Sequence, residues 1–167
     1  TFTMTHEMLM KTARYVKDLR PELPVIAGGV HSTNSAETIL REEQAIDLIC
    51  RYESDETFAD LFDFVNGRAG PEGLSQIAGM VNGNYAVIDK YSHPAGKIID
   101  ERPDYDSLDI ALYSTFGEVG GFRYWFQKET KGSTVLTNRG CRGRCTFCSV
   151  HNYSGKGVRA RSVEAVM

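Results

Sequence analysis

From Thr5 to Leu19 the apolar residues Met8, Leu9, Ala13, Val16 and Leu19 recur near helical spacing, with Lys11, Arg14, Lys17 and Asp18 between them. That pattern predicts an amphipathic helix. Pro21 and Pro24 bracket its exit, and Val25-Ile26-Ala27 is a short unbroken apolar run of the kind found in strands covered on both faces. Gly28-Gly29 closes the run, His31-Ser32-Thr33-Asn34 reads as a loop, and Ser35 reads as the cap of a helix through Arg41. Asp47-Leu48-Ile49-Cys50 predicts a second buried strand, and Thr57–Val65, with Phe58, Leu61, Phe62 and Val65, a third helix. Alternating helix and strand predicts an α/β fold with a partial doubly wound parallel sheet, in which ligands bind beyond the carboxyl ends of the strands.

Farther along, Arg68-Ala69-Gly70-Pro71-Glu72-Gly73 is rich in turn formers and marks a boundary near residue 67. Ile77–Val81 and Tyr85–Ile88 flank Asn82-Gly83, which predicts a β-hairpin. No sustained periodicity runs from Asp89 to Thr130, but Tyr105, Tyr113, Phe116, Phe122, Tyr124, Trp125 and Phe126 make this connector aromatic and suit it to packing on its neighbours. Ser133–Thr137 reads as a strand, and Ser162 as the N-cap of a helix over Val163–Val166. The expected division is 1–67, 68–130 and 131–167.

With 41% hydrophobic and 25% charged residues among 167, the chain falls in the range of globular proteins. No apolar run approaches the ~20 residues of a membrane-spanning helix, so no membrane insertion is expected. Four cysteines without a leader segment suit a reducing cytoplasm rather than a disulfide scaffold. A start at Thr1 and an end just inside a new helix are read as those of a fragment. Charge is uneven: residues 131–167 hold seven cations against the single acid Glu164, a net +6, so the overall −3 leaves −9 on the rest.

The candidate chemistry lies in Cys141, Cys145 and Cys148, spaced C-x3-C-x2-C within Asn138–Cys148. Three thiolates on one short loop suit three irons of a [4Fe–4S] cluster and leave the fourth iron open to a substrate or cofactor. Arg139, Arg142 and Arg144 would offset the negative charge, and Gly140 and Gly143 let the loop wrap tightly. His151 offers an alternative: with the three cysteines it completes a Cys3His set suited to zinc, in a non-catalytic module whose basic end contacts nucleic acid. Upstream, Gly28-Gly29 serves a tight turn as readily as a ligand, and His31 reads as a solvated or capping histidine. Glu53, Asp55 and Glu56 read as a solvated acidic loop, and Cys50 as a packed, inert thiol.

The three-cysteine loop after a strand, with Phe147 just before the last cysteine, resembles the cluster loop of the radical S-adenosylmethionine superfamily. Pro24–Thr33 and Thr57–Leu61 resemble the later half of the cobalamin-binding domain that precedes the barrel in B12-dependent members, and Arg102–Asp109 the segment leading into that barrel. The resemblance implies that Cys141, Cys145 and Cys148 hold a [4Fe–4S] cluster and that Phe147 lies near the adenine of S-adenosylmethionine. It further implies that Gly28, Gly29, His31, Ser32 and Thr3 contact cobalamin, and that 131–167 opens a partial TIM-type barrel with its first βα unit. The implied reaction is reductive cleavage of S-adenosylmethionine to a 5′-deoxyadenosyl radical, for methylation of an unactivated carbon or a related cyclisation or rearrangement. Implied partners are a small-molecule substrate and a reductant such as flavodoxin or ferredoxin, with an RNA substrate less favoured. Two departures stand out: the family's Asp-x-His-x-x-Gly and Gly-Gly-Glu motifs are not in this chain, and its glycine-rich acidic motif after the second strand reads Arg51-Tyr52-Glu53-Ser54-Asp55-Glu56. The chain by itself is expected to be inactive.

Overall fold

The computed structural model describes residues 2–55, 57–88, 104–109 and 135–167. The chain divides into two compact units, Thr1–Ala95 with Gly140–Gly157, and Gly96–Arg139 with Val158–Met167.

In the first unit, a turn of 3-10 helix (Thr3–Thr5) leads into α1 (His6–Leu19), where the sequence places it. Its buried stripe is centred on Met10 and Ala13, with Leu9 packed alongside, whereas Met8 and Leu19 are exposed. Lys17 ties the end of α1 to Asp47 at 2.7 Å, and the same carboxylate accepts from the Val25 amide at 2.6 Å, which sets where the first strand starts.

The main sheet has the order β1-β2-β3-β4, from β1 (Ile26–Gly28), β2 (Leu48–Cys50), β3 (Ile77–Val81) and β4 (Asn84–Ile88). β1 and β2 are parallel, as helix–strand alternation predicts. The hairpin does not stand apart: β3 pairs antiparallel with β2, so the sheet is mixed. Asn82 (φ 50°) and Gly83 (φ 77°) both take positive φ, which a two-residue hairpin turn of matching twist requires.

Register sorts the side chains into two layers. Ala27, Ile49, Ala78 and Val87 form one row across the sheet, and Ala27, Ile49 and Ala78 are buried with Met10, Ala13, Ala36, Ile39 and Leu40. One residue along, Cys50, Ile77 and Ile88 face the other way and pack with Leu61 of α4 (Phe58–Val65) and with Leu74. Period-two alternation between two apolar layers accounts for the unbroken apolar runs of the strands.

Residues His31–Asn34 depart from the expected loop. They belong to α2 (Val30–Asn34), and α3 (Ala36–Glu42) follows after one residue, with no capping bond from the Ser35 side chain. Gly29, at φ 96° and ψ −179°, turns the chain so sharply that helix starts at once, and Ser32 and Thr33 become buried. Glu43, at the end of α3, is also buried. Burial pushes its carboxyl up, but hydrogen bonds from Arg14 (2.5 Å) and the Ala45 amide outweigh this and hold it below its ordinary value.

Of the expected strand over Ser133–Thr137, Ser133 and Thr134 lie outside the described residues and Val135–Thr137 are not in a strand; β5 is Asn138–Cys141. Its partner β6 (Gly157–Ala160) completes a two-stranded sheet, and pairing rather than the β-propensity of the preceding residues decides which ones form the strand. Between them lies α5 (Val150–Ser154). In the second unit the Ser162 hydroxyl accepts from the Ala165 amide at 3.1 Å and caps α6 (Val163–Val166), as the sequence predicts. Of the connector aromatics, Tyr105 is half exposed and the other six lie outside the described residues.

Candidate functional site

Cys141 is the last residue of β5, and Cys145 and Cys148 follow on the loop into α5; all three thiols are exposed. The Gly143 amide donates to Cys141 Sγ at 3.2 Å, and a Cβ built on Gly143 would lie 3.4 Å from Cys141 Sγ and 3.8 Å from Cys145 Sγ. Two of the sulfurs therefore flank this glycine. The Cys148 amide donates to the Cys145 carbonyl at 3.2 Å and closes a turn between the last two cysteines. Phe147 is 91% exposed.

Beside Cys141 lies a depression of about 460 Å³ lined by Cys141, Arg142, Arg144, His151, Lys156 and Gly157. Three cations and no acid line it. That surrounding suits a negatively charged group. His151 Nε2 lies 3.0 Å from the Cys141 carbonyl oxygen. A carbonyl only accepts, so Nε2 carries the hydrogen in this arrangement and Nδ1 keeps the ring's lone pair. The zinc alternative finds no support. Among the described residues, no three His, Cys, Asp or Glu side chains gather closely enough to hold a metal ion; the three thiols share a loop without converging on one point.

A second group forms at the carboxyl end of β1. Thr3 Oγ1 lies 3.2 Å from His31 Nδ1, and His31 Nε2 lies 3.1 Å from His6 Nδ1, with the rings 4.7 Å apart at 68°. Partial burial, then the neighbouring His6, push the His31 imidazole below its ordinary value. Far from a lone loop histidine, His31 joins Thr3 to a residue that the sequence reading passed over, His6. Twenty-five positions separate the two histidines, so local periodicity held no signal for the pair. Ser32 is fully buried, and Gly28 sits so close to β2 that a Cβ there would lie 3.3 Å from the Cys50 carbonyl oxygen.

On β2, Cys50 is buried as expected, and burial pushes its thiol up. Glu53 is buried rather than solvated, because Gln76, itself 1% exposed, donates to the Glu53 carbonyl and draws the segment inward. Within the first unit, Asn152 Nδ2 of α5 donates to Asn34 Oδ1 of α2 at 2.5 Å. The helix after the cysteines is thus bonded to the helix that follows the glycine pair.

An α/β sheet with a polar group at its strand ends and a three-cysteine loop thus lie in the same unit. Comparisons with known proteins find relatives in sequence and a match in fold. An uncharacterized methyltransferase of Pyrococcus horikoshii is 31% identical over 157 residues, 93% of this chain and 31% of that protein. The anaerobic magnesium-protoporphyrin IX monomethyl ester cyclase of Rubrivivax gelatinosus is 26% identical over 143 residues, 83% of this chain and 24% of that protein. In fold, the chain matches the radical S-adenosylmethionine methyltransferase TsrM of Kitasatospora setae, solved with cobalamin and a [4Fe–4S] cluster bound. The TM-score is 0.62 at 14% identity, covering 95% of this chain and 30% of that one. The chain spans less than a third of the length of each of these proteins. No protein-family model matches it. Among the described residues no helix is long and apolar enough to cross a membrane.

Proposed function

We propose that this chain carries the cofactor-holding segments of a cobalamin-dependent radical S-adenosylmethionine enzyme. The enzyme is a methyltransferase acting on an unactivated carbon of a small molecule, or a related enzyme of cyclisation or rearrangement. Residues 1–67 are read as the later part of the cobalamin-binding-like domain, 68–130 as a connector, and 131–167 as the start of the radical domain. One observation carries the reading: the C-x3-C-x2-C thiols are exposed on a cation-lined loop in the same unit as the glycine pair, and the Asn152–Asn34 bond links the following helix to α2.

The donor set fits the cluster, since three accessible thiols are soft ligands of the kind that hold iron–sulfur centres and leave one iron without a protein ligand. When bound, the cluster supplies the electron that cleaves S-adenosylmethionine to methionine and a 5′-deoxyadenosyl radical. The chain's own residues prepare the place. Cys141, Cys145 and Cys148 give thiolates, and Arg142, Arg144 and Lys156 offset their charge. His151 fixes the backbone of the first cysteine through its carbonyl, and the exposed Phe147 ring offers a face to the adenine. Gly28, Gly29, Thr3 and His31 would hold cobalamin, and the buried Ser32 would keep that segment in shape. A flavodoxin- or ferredoxin-type reductant in a reducing cytoplasm completes the scheme. Neutralisation of thiolates accounts for the basic segment without an RNA substrate.

The test is anaerobic reconstitution with iron and sulfide, followed by metal analysis and EPR of the reduced protein with and without S-adenosylmethionine. Iron and sulfide in a cluster whose spectrum changes on adding S-adenosylmethionine are expected. Zinc without iron or sulfide, or a well-formed cluster blind to S-adenosylmethionine, overturns the reading.

A further inference from the structure

α5 is little more than one turn, Val150–Ser154, and a helix that short does not hold itself in water. No side-chain bond from Ser149 caps its start, and it ends at Gly155, whose φ of 78° turns the chain away at once. Two side chains on consecutive residues tie it to its surroundings. His151 Nε2 donates to the Cys141 carbonyl at 3.0 Å, and Asn152 Nδ2 donates to Asn34 Oδ1 at 2.5 Å. Consecutive residues point about 100° apart around an α-helix, so the two bonds reach α5 from different sides. Together they set both its position and its roll.

The far partner is itself anchored. Asn34 is the last residue of α2, whose Ser32 and Thr33 are buried, and Thr33 Oγ1 accepts from the Tyr52 amide at 2.8 Å. The orientation of the Asn34 amide follows from a second bond: its Nδ2 donates to the Val30 carbonyl at 2.7 Å, which leaves Oδ1 facing Asn152. At the near end, a bridge between Cys141 and Lys156 closes the neck of the loop that carries the cysteines and α5. Cys148 stands two residues before α5, so a roll of that turn moves the last cysteine relative to the first. Both asparagines are exposed, and a bond that water can replace adds little to the stability of the whole chain. Its effect falls on geometry.

We propose that Asn34 and Asn152 form a positioning pair for the iron–sulfur site. Through this pair the packed α2 fixes the roll of α5, and α5 in turn fixes where Cys148 stands with respect to Cys141. Neither asparagine is a ligand; the pair acts through His151 and the turn that carries it, as partners behind metal ligands do when they orient them. The inference rests on the cluster binding proposed above and assigns the rigidity of that site to a residue far upstream of its thiols.

The experiment reconstitutes the full chain anaerobically with iron and sulfide as the native form, Asn34→Ala, Asn152→Ala and the double variant. Iron release to excess ferrozine is timed, and the EPR spectra of the reduced clusters are compared. Each single variant is expected to release iron about tenfold faster than the native chain, the low end of what losing a partner behind the ligands costs a metal site, and to show a broadened spectrum. The double variant should release iron no faster than either single one, because the same bond is lost in all three. Urea midpoints of the metal-free forms should coincide, which separates positioning from a general loss of stability. Native release and spectrum in either single variant, losses that add in the double variant, or a matching fall in the urea midpoint overturns the assignment while leaving cluster binding in place. A native chain that forms no cluster removes the cluster reading itself, and this assignment with it.

Discussion

Gly29→Ala tests whether the turn after β1 shapes the whole ligand edge. Gly29 sits at φ 96° and ψ −179°, a region reached almost only by glycine, where a side chain costs about 1–3 kcal/mol. The residue offers no slack on either side. Before it, Gly28 approaches the Cys50 carbonyl; after it, α2 begins at once and buries Ser32 and Thr33. Relaxing the turn would draw Thr33 away from the Tyr52 amide, 2.8 Å distant. The expected loss is therefore near the middle of the range, about 2 kcal/mol, read as a lower urea midpoint with an unchanged slope, or a melting temperature lower by about 4–8 °C. Gly83→Asn is the control: its φ of 77° is also positive, but nothing lies within 4 Å of a Cβ there, and asparagine tolerates the left-handed region. A Gly29→Ala chain as stable as the control would refute the argument that this turn dictates where α2 starts.

Three further outcomes are expected. His31 is held below its ordinary value, so the folded state takes up a proton less readily than the unfolded chain; its share of stability is complete above about pH 6.5 and is lost as pH falls through the lowered value. Urea midpoints between pH 5 and 8 check this, and His31→Asn should flatten the profile. Leu61, at 0% exposure between α4 and the sheet, should cost about 2–5 kcal/mol when cut to alanine, measured by chemical unfolding. In the metal-free native chain, Cys141, Cys145 and Cys148 should react with iodoacetamide promptly, whereas Cys50 should react only on unfolding, as peptide mapping by mass spectrometry will show.

Local signals proved reliable where the physics itself is local. Asn82-Gly83 encodes its turn in two residues whose backbones accept positive φ, and the hairpin follows. The cysteine spacing was equally plain, because a donor set is a property of residue type and separation. What escaped the sequence depends on distant partners. His31-Ser32-Thr33-Asn34 looks polar enough for a loop, yet it forms α2 after the Gly29 turn, and Thr33 accepts from the Tyr52 amide nineteen residues later. Glu53 reads as solvated until Gln76 reaches its carbonyl across twenty-three positions. Val135–Thr137 carry the composition of a strand, but a strand forms where a partner lies, and β6 pairs with later residues.

The Asn34–Asn152 bond closes over 118 positions, and this separation orders events during synthesis. All four strands of the main sheet and both buried clusters are complete by Ile88. Domains fold as units while the chain emerges, and contacts this remote are entropically the last to close. The cysteine loop therefore arrives at a scaffold that is already formed, and its three thiols are still exposed once the Asn34–Asn152 bond has closed.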